Sequence, residues 1–254
     1  MKIIGLLPAR LKSSRIKEKL LQKVQGLPII LHTIFRAKIA RSINQIIGCT
    51  DSHKIKNIVS NYTNTFISKK KHRNGTERIA ELANKIDANL IIDIHADEAI
   101  LDPKNIEKLI KFHKKNNQFD IVVPHKKSRV SGGENVVKII SDKNNKVLYF
   151  TRCDAPYGFR KKNNSFFHHL DIISFKPNAL RKFSKLKVSN LESIEGVELM
   201  RALENNLKIG TFEIKTHTFS VNTPKDLSLV KKLMRKDKYF KKFYEKKKKS
   251  SYNF

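Results

Sequence analysis

The sequence predicts an α/β fold: a mostly parallel sheet flanked by helices, with a mixed-sheet insertion. Three observations predict it. Short apolar runs alternate with stretches of helical period through residue 123, the pattern of right-handed βαβ units. The rhythm then changes to closely spaced extended runs, as antiparallel strands require. Hydrophobic residues make up 39% of 254, enough to bury one large core, which excludes a disordered or fibrous chain.

The apolar run at 2–7, ended by Pro8, reads as a buried first strand. Pro28 opens a helix to residue 40, with Ile29, Ile30, Ile34, Ala37 and Ile39 at near-helical spacing. A strand at 45–49, a helix at 53–61, a strand at 65–67 and a helix at 76–85 follow. Leu90-Ile91-Ile92-Asp93-Ile94 is a fourth strand, 103–115 an amphipathic helix carrying Ile106, Leu109, Ile110 and Phe112, and 120–123 a fifth strand. Residues 136–140 and 146–150 predict a hairpin around Ser141-Asp142-Lys143-Asn144-Asn145, and 168–175 one further strand. Helices at 177–183 and 192–205, a strand at 207–215 and a helix from 224 to about 235 complete the unit. This gives one domain over 1–235, an insertion over about 124–176, and a Lys-rich tail at 236–254.

Fifty-three Lys and Arg against twenty-three Asp and Glu leave a formal charge of +30, which invites nucleotides, nucleic acid or a membrane surface as partners. The cations are forty-one Lys and twelve Arg, scattered along a chain that also carries twenty-one Asn. Nucleic-acid readers concentrate Arg and interleave aromatics, so this composition reads as drift toward Lys and Asn on a solvated surface and argues against a nucleic-acid partner. From 231 to 254 there are eleven Lys or Arg against two acids, the composition of a helix end and a frayed, solvated tail. Cys49 and Cys153 lie far apart with no CxxC or His companion, indicating neither a disulfide framework nor a zinc site. No apolar run approaches a membrane-spanning length, and Pro8 and Arg10 break the apolar start too early for a signal peptide. The expectation is a cytoplasmic protein with no membrane insertion.

Ligands of open α/β sheets bind at the carboxyl ends of the strands, so the loops after the first and fourth strands hold the first candidates. The first loop runs Leu7-Pro8-Ala9-Arg10-Leu11-Lys12-Ser13-Ser14-Arg15-Ile16-Lys17-Glu18-Lys19. Its cations and hydroxyls suit a polyphosphate, although it lacks the glycines of a Walker loop; by itself it reads equally well as a basic surface loop. The fourth strand ends in His95-Ala96-Asp97-Glu98. Carboxylates there are oxygen ligands for Mg²⁺ completed by phosphates, or acids set against a helix dipole; the conjunction with the first loop favours the metal. A third cluster, His72-Arg73-Asn74-Gly75-Thr76-Glu77-Arg78, presents backbone amides and a guanidinium to a nucleotide, or is an ordinary capped helix.

At these three clusters together the chain resembles the 3-deoxy-manno-octulosonate (Kdo) cytidylyltransferases, the CMP-Kdo synthetases of Gram-negative outer-membrane assembly. Pro8, Ala9, Arg10, Ser13, Ser14, Arg15 and Lys19 meet the family pattern Pro-Ala-Arg-x-x-Ser-[Ser/Thr]-Arg-Leu-Pro-x-Lys. Asn74-Gly75-Thr76-Glu77-Arg78 is similar to Ser-Gly-Thr-Glu-Arg, the most specific match. Val137-Lys138, Leu148-Tyr149-Phe150-Thr151-Arg152, His168-His169-Leu170, Leu191-Glu192-Ser193-Ile194-Glu195 and Val221-Asn222-Thr223-Pro224-Lys225-Asp226-Leu227 continue the likeness in order. It runs from residue 2 to about 235.

The resemblance implies a Rossmann-like nucleotide-diphospho-sugar transferase fold and transfer of CMP from CTP to the anomeric hydroxyl of a Kdo-like sugar acid. Pyrophosphate is released, and the product serves lipopolysaccharide or surface-glycan synthesis. It implies that Arg10, Ser13, Arg15 and Lys19 hold the CTP phosphates, in a nucleotide set completed by Pro8, Ala9, Ser14, Asn74, Gly75, Thr76 and Arg78. Arg10, Lys19 and Asp97 are the implied catalytic residues. Asp97 would ligate Mg²⁺, with Asn222 at a second metal position. Arg152, His169, Glu195 and Glu198 would line the sugar-acid pocket, with Arg152 pairing the sugar carboxylate. A homodimer is implied as well.

Several positions depart from the family pattern. Gln-Gly-Asp-Glu-Pro is His95-Ala96-Asp97-Glu98-Ala99, and Asn222 stands for a second metal-binding aspartate. An amide coordinates through its oxygen but brings no charge, so weaker metal binding is expected. Ile16-Lys17-Glu18 replaces Leu-Pro-x, placing an acid beside the phosphates, and Asp171 and Ile173 replace the Gly and Tyr of His-Leu-Gly-Ile-Tyr. These departures leave three readings of the enzyme: one whose sugar differs from Kdo, such as an amino-substituted (8-amino) or sialic-type acid; a drifted Kdo enzyme; or a paralogue with little activity. The alternative outside enzymes is a basic nucleic-acid-binding protein.

Overall fold

The computed structural model describes residues 1–216 and 219–245. In chain order the elements are β1 (Ile3–Ala9), a 3-10 turn (Lys19–Leu21), the short hairpin β2 (Lys23–Val24) and β3 (Leu27–Pro28), α1 (Ile29–Ala37), β4 (Gln45–Thr50), α2 (His53–Val59), β5 (Asn64–Ile67), α3 (Gly75–Ala83), β6 (Leu90–Ile94) and α4 (Pro103–Lys115). There follow β7 (Ile121–Ser128), β8 (Lys138–Ser141), β9 (Val147–Thr151), β10 (Phe166–His169), β11 (Ile172–Phe175), α5 (Pro177–Lys185), α6 (Asn190–Glu195), α7 (Leu199–Glu204), β12 (Ile209–Glu213), α8 (Pro224–Met234) and a wide final turn (Phe240–Tyr244).

Among the described residues ten strands form one sheet in the order β5-β4-β1-β6-β11-β7-β10-β8-β9, with β12 alongside β7. The first four are mutually parallel; β11 runs antiparallel to β6 and β7. Strand side chains alternate between faces, so β1 serves two cores. Ile3 and Leu7 pack with α1, α4 and α8, while Ile4 and Leu6 pack with α3, α5 and α7. Pro8 does not end β1: the strand pairs with β4 through Ala9↔Thr50, whereas its ladder with β6 stops at Leu6↔Asp93. Proline is tolerated where a strand has lost one neighbour.

Two predicted elements are broken. The strand expected over 168–175 is β10 and β11. Between His169↔His125 and Ser174↔Val122, five steps on one side oppose three on β7, and the surplus bulges out at Leu170 and Asp171. The helix expected over 192–205 is α6 and α7, separated at Gly196, whose φ of 62° ends α6 in the left-handed conformation that glycine adopts without strain. At the C-terminus part of the expected tail is packed. Phe240 and Tyr244 are 1% and 2% exposed and join the core beside α1. Residues 246–254, the rest of the expected Lys-rich tail, lie outside the described residues.

Candidate active site

The carboxyl ends of β1 and β6 open into a cavity of about 360 Å³. One wall is the loop after β1, which brings Pro8, Arg10, Ser13, Ser14, Arg15 and Lys19 to the cavity; Asn74, Gly75 and Arg78 of α3, Asp97, Glu198 and Asn222 complete it among the candidates. Gly75 allows the close approach of α3 to β1, since a Cβ there would stand 3.0 Å from Pro8 Cγ. The guanidiniums of Arg10 and Arg15 have no hydrogen bond or ion pair among the described residues, so they face the cavity as uncommitted donors.

Opposite them the acid loop closes the cavity. Lys19 Nζ forms an ion pair with Asp97 Oδ2 and lies 3.3 Å from Asn222 Oδ1. Asn222 is held by the start of α8, where its N–H donates to Asp226 Oδ2 at 3.0 Å and Thr223 and Asp226 form a reciprocal cap. Val221 N–H donates to the Asp97 carbonyl at 3.2 Å, joining the two loops. Three groups from residues 19, 97 and 222 thus meet at one point.

Other candidates support this point from behind. The Asn74 side chain caps α3, accepting from Glu77 N at 2.9 Å. Arg78 is 5% exposed and donates to the Ala9 carbonyl (3.1 Å) and Asp51 (2.8 Å), so Ala9 acts through its backbone. Thr76 donates to Glu198 and lies 3.4 Å from Asp93 Oδ2. Glu77 faces away from the cavity, paired with Arg73 and with Arg201, which also grips Glu192 of α6. Glu18, expected beside the phosphates, is paired with Lys54 at 2.7 Å and takes no part in the cavity wall.

The proposed sugar-pocket residues divide. Glu198 lines the cavity. Arg152 does not: its guanidinium donates to the carbonyls of Glu195 (2.7 Å), Glu134 (2.7 Å) and Gly196 (3.4 Å), tying the β9 loop to the end of α6. Glu195 accepts from Thr151 Oγ1 (2.9 Å) and Arg152 N (2.8 Å). His169 lies 3.7 Å from Asp171.

A group that motif reading did not assemble lies between these halves. His95 lines the cavity, and around it stand Asp93, Asp97, Asp171 and Glu198. Burial pushes the imidazole toward neutrality, but these carboxylates, Asp171 foremost, outweigh it and hold its pKa at about 9. Asp171 is the mirror case: burial opposes its ionisation, yet His95, Ser220 and His169 keep its carboxyl well below the usual range. Glu98 is 2% exposed, and burial, then Asp171, raises it to about 8. Ser220 Oγ lies within hydrogen-bonding reach of both Glu98 Oε1 and Asp171 Oδ2, the latter at 2.8 Å. A hydroxyl has one hydrogen, so it donates to Asp171 and accepts from protonated Glu98. Burial likewise raises Asp93 to about 7 and raises Glu198 above the ordinary range, with the Thr76 hydroxyl between them. The meeting of these groups carries no sequence signal, since a register shift has no local motif.

A model of the cytidylyltransferase family matches residues 4–209. The 3-deoxy-manno-octulosonate cytidylyltransferase of Fusobacterium nucleatum is 34% identical over 236 residues, 91% of this chain and 96% of its own. That of Chlorobium phaeobacteroides is 31% identical over 246 residues, covering 93% and 98%. A solved CMP:2-keto-3-deoxy-manno-octonic acid synthetase complexed with CTP superposes with a TM-score of 0.88 at 26% identity, over 92% of this chain and 99% of that one. HddC from Yersinia pseudotuberculosis, at 14% identity and a TM-score of 0.65 over 92% of this chain and 99% of its own, shares the fold.

Proposed function

This chain belongs to the cytidylyltransferase family, within its 3-deoxy-manno-octulosonate branch, and on that premise we propose that it joins CTP to a Kdo-like sugar acid. The anomeric oxygen attacks the α-phosphorus, the bond to the β-phosphoryl group breaks, pyrophosphate leaves, and the hydroxyl proton passes to solvent. The observation that carries this reading is the convergence of Lys19, Asp97 and Asn222 opposite the uncommitted Arg10 and Arg15 in one cavity.

Arg10, Arg15, Ser13 and Ser14 bind and orient the triphosphate oxygens, and Lys19 offsets charge that develops on the leaving phosphates. Gly75 and Arg78 shape the nucleotide side, Arg78 by fixing the end of β1 through the Ala9 carbonyl. The donor set at Asp97 and Asn222 fits Mg²⁺: one carboxylate and one amide oxygen already share a cation, the Lys19 ammonium, and Mg²⁺ sites commonly use one or two protein oxygens plus phosphates. When bound there it would supply charge neutralisation at the triphosphate. Glu198 accepts and orients a sugar hydroxyl, while His169, Arg152 and Glu195 order the segments that border the sugar.

A second reading concerns the sugar itself. Asp171 is added at a bulge with 37% of its side chain exposed; it stands beside His95 of the cavity wall, and its carboxyl is held ionised. This favours a sugar acid that carries an ammonium substituent. The exposed Tyr157 and Phe159, on the loop between β9 and β10, support a homodimer through that end of the sheet. Among the described residues no helix is long and apolar enough to cross a membrane.

The test is pyrophosphate release with Mg²⁺ from each of four nucleoside triphosphates crossed with Kdo, its 8-amino analogue and a sialic acid. CTP with a Kdo-type acid is the expected pair, and absence of turnover with every combination would refute the reading.

A further inference from the structure

We propose that residues 237–244 act as a clamp that positions both arms of the Lys19–Asp97 pair, with the Tyr244 hydroxyl at its centre. The loop 95–102 between β6 and α4 carries Asp97. Its first part is held by Thr33 Oγ1, which donates to the Ala96 carbonyl at 3.0 Å. Its last part is held by the C-terminal segment. Arg36 Nη1 donates to the Leu101 carbonyl at 2.9 Å, and Tyr239 Oη donates to Asp102 Oδ1 at 3.0 Å. That same Asp102 oxygen caps α4, accepting from Lys104 N at 2.9 Å.

Arg36 is 1% exposed, so its permanent charge requires a partner at that depth. Asp237 supplies it at 2.5 Å, and Tyr244 Oη accepts from Arg36 Nε at 3.2 Å. One helical turn away, His32 donates from Nε2 to the Val24 carbonyl at 2.7 Å, which leaves Nδ1 to accept from Tyr244 Oη at 3.3 Å. Burial lowers the pKa of His32 to about 4, keeping the ring neutral and this tautomer in place.

The result is one unbroken chain of hydrogen bonds: Val24, His32, Tyr244, Arg36, Leu101. Val24 lies in β2, just after the turn that carries Lys19. Leu101 lies in the loop that carries Asp97. Tyr244 is thus a positioning residue for both partners without touching either. The composition of this segment, rich in Lys, hides its role, because the three anchoring side chains Asp237, Tyr239 and Tyr244 are spaced among solvated cations.

The test compares Tyr244→Phe, Tyr239→Phe and a chain ended after Glu245 with the full chain. Amide hydrogen exchange of peptides spanning 95–102 is read against β4, and kcat and KM for CTP are measured alongside. Tyr244→Phe keeps the ring packing and removes only the shared hydroxyl. Expected are a roughly tenfold faster exchange in 95–102 with β4 unchanged, a roughly threefold to tenfold lower kcat, and a KM for CTP within about twofold. Tyr239→Phe should show the loop effect alone, and the chain ended after Glu245 should match the full chain. Loop exchange unchanged in Tyr244→Phe, exchange rising equally in β4, or an effect as large from deleting 246–254, would each overturn the clamp. The kinetic readout rests on the proposed transferase activity, but the exchange readout needs no substrate, so an inactive enzyme would refute that activity while leaving the clamp tested.

Discussion

Lys19 and Asp97 stand 78 residues apart in the chain and form one ion pair inside the cleft, each with 16% of its side chain exposed. In the proposed reaction, that pair marks the place where the triphosphate would meet its counter-cation. If Lys19 offsets charge on the leaving phosphates as proposed, replacing it by Met should lower kcat by about 10²- to 10³-fold, as for loss of one preorganised charge-stabilising donor. Steady-state kinetics with a circular dichroism check of folding measures it; a loss under about threefold would remove Lys19 from the chemistry.

Asn222 holds an uncharged oxygen 3.3 Å from the Lys19 ammonium, at the point proposed for the metal. Asn222→Asp adds a carboxylate to the same point and should lower the Mg²⁺ concentration for half activity by roughly tenfold, about 1.4 kcal/mol. A magnesium titration at saturating CTP decides it, and an unchanged requirement would mean that this position does not touch the metal.

Asp171 bears on substrate choice. If its carboxylate meets an ammonium on the sugar, Asp171→Gly should shift the ratio of kcat/KM from the 8-amino analogue toward Kdo by roughly tenfold or more. Parallel assays on the two acids provide the ratio. Equal losses on both would assign Asp171 to holding His95 and Ser220 instead.

His113 is 1% exposed, receives the Ser174 hydroxyl at 2.7 Å on Nδ1 and donates from Nε2 to the Phe119 carbonyl. Burial lowers its pKa from 6.5 to about 4. Between those values the unfolded chain takes up a proton that the folded chain refuses. Its neutral form therefore contributes full stability above pH 6.5, which is lost as pH falls toward 4, by up to about 1.4 kcal/mol per pH unit. Asp93 and Glu98, raised by burial, tilt the curve the opposite way in both proteins and cancel in a difference. His113→Gln should melt lower at pH 7 but show a flatter Tm profile between pH 6.5 and 4.5; parallel profiles for variant and parent would contradict the assignment.

The strand and helix order was legible along most of the chain because it rests on local period. The helix over 103–115 is found with those bounds, since Asp102 and Pro103 mark its start and its apolar face is unbroken. The grouping of the loop after β1 and of the capped Asn74 to Arg78 cluster at one cavity was legible for the same reason: their donors are neighbours in sequence. The break between α6 and α7 carried a faint local sign in Gly196, but the β10 bulge carried none, because surplus residues show only against the partner strand.

What the sequence by itself determined is the set of chemical groups this chain can bring to a polyphosphate, and the βα alternation that sends them to one edge of a sheet. Only the tertiary structure decided which groups meet: Lys19 with Asp97 and Asn222, Asp171 with His95 and Ser220, Tyr244 between Arg36 and His32. The physical reason is that these contacts join residues up to 212 positions apart. Their energy depends on strand order, burial and the local dielectric, which no stretch of neighbouring residues encodes.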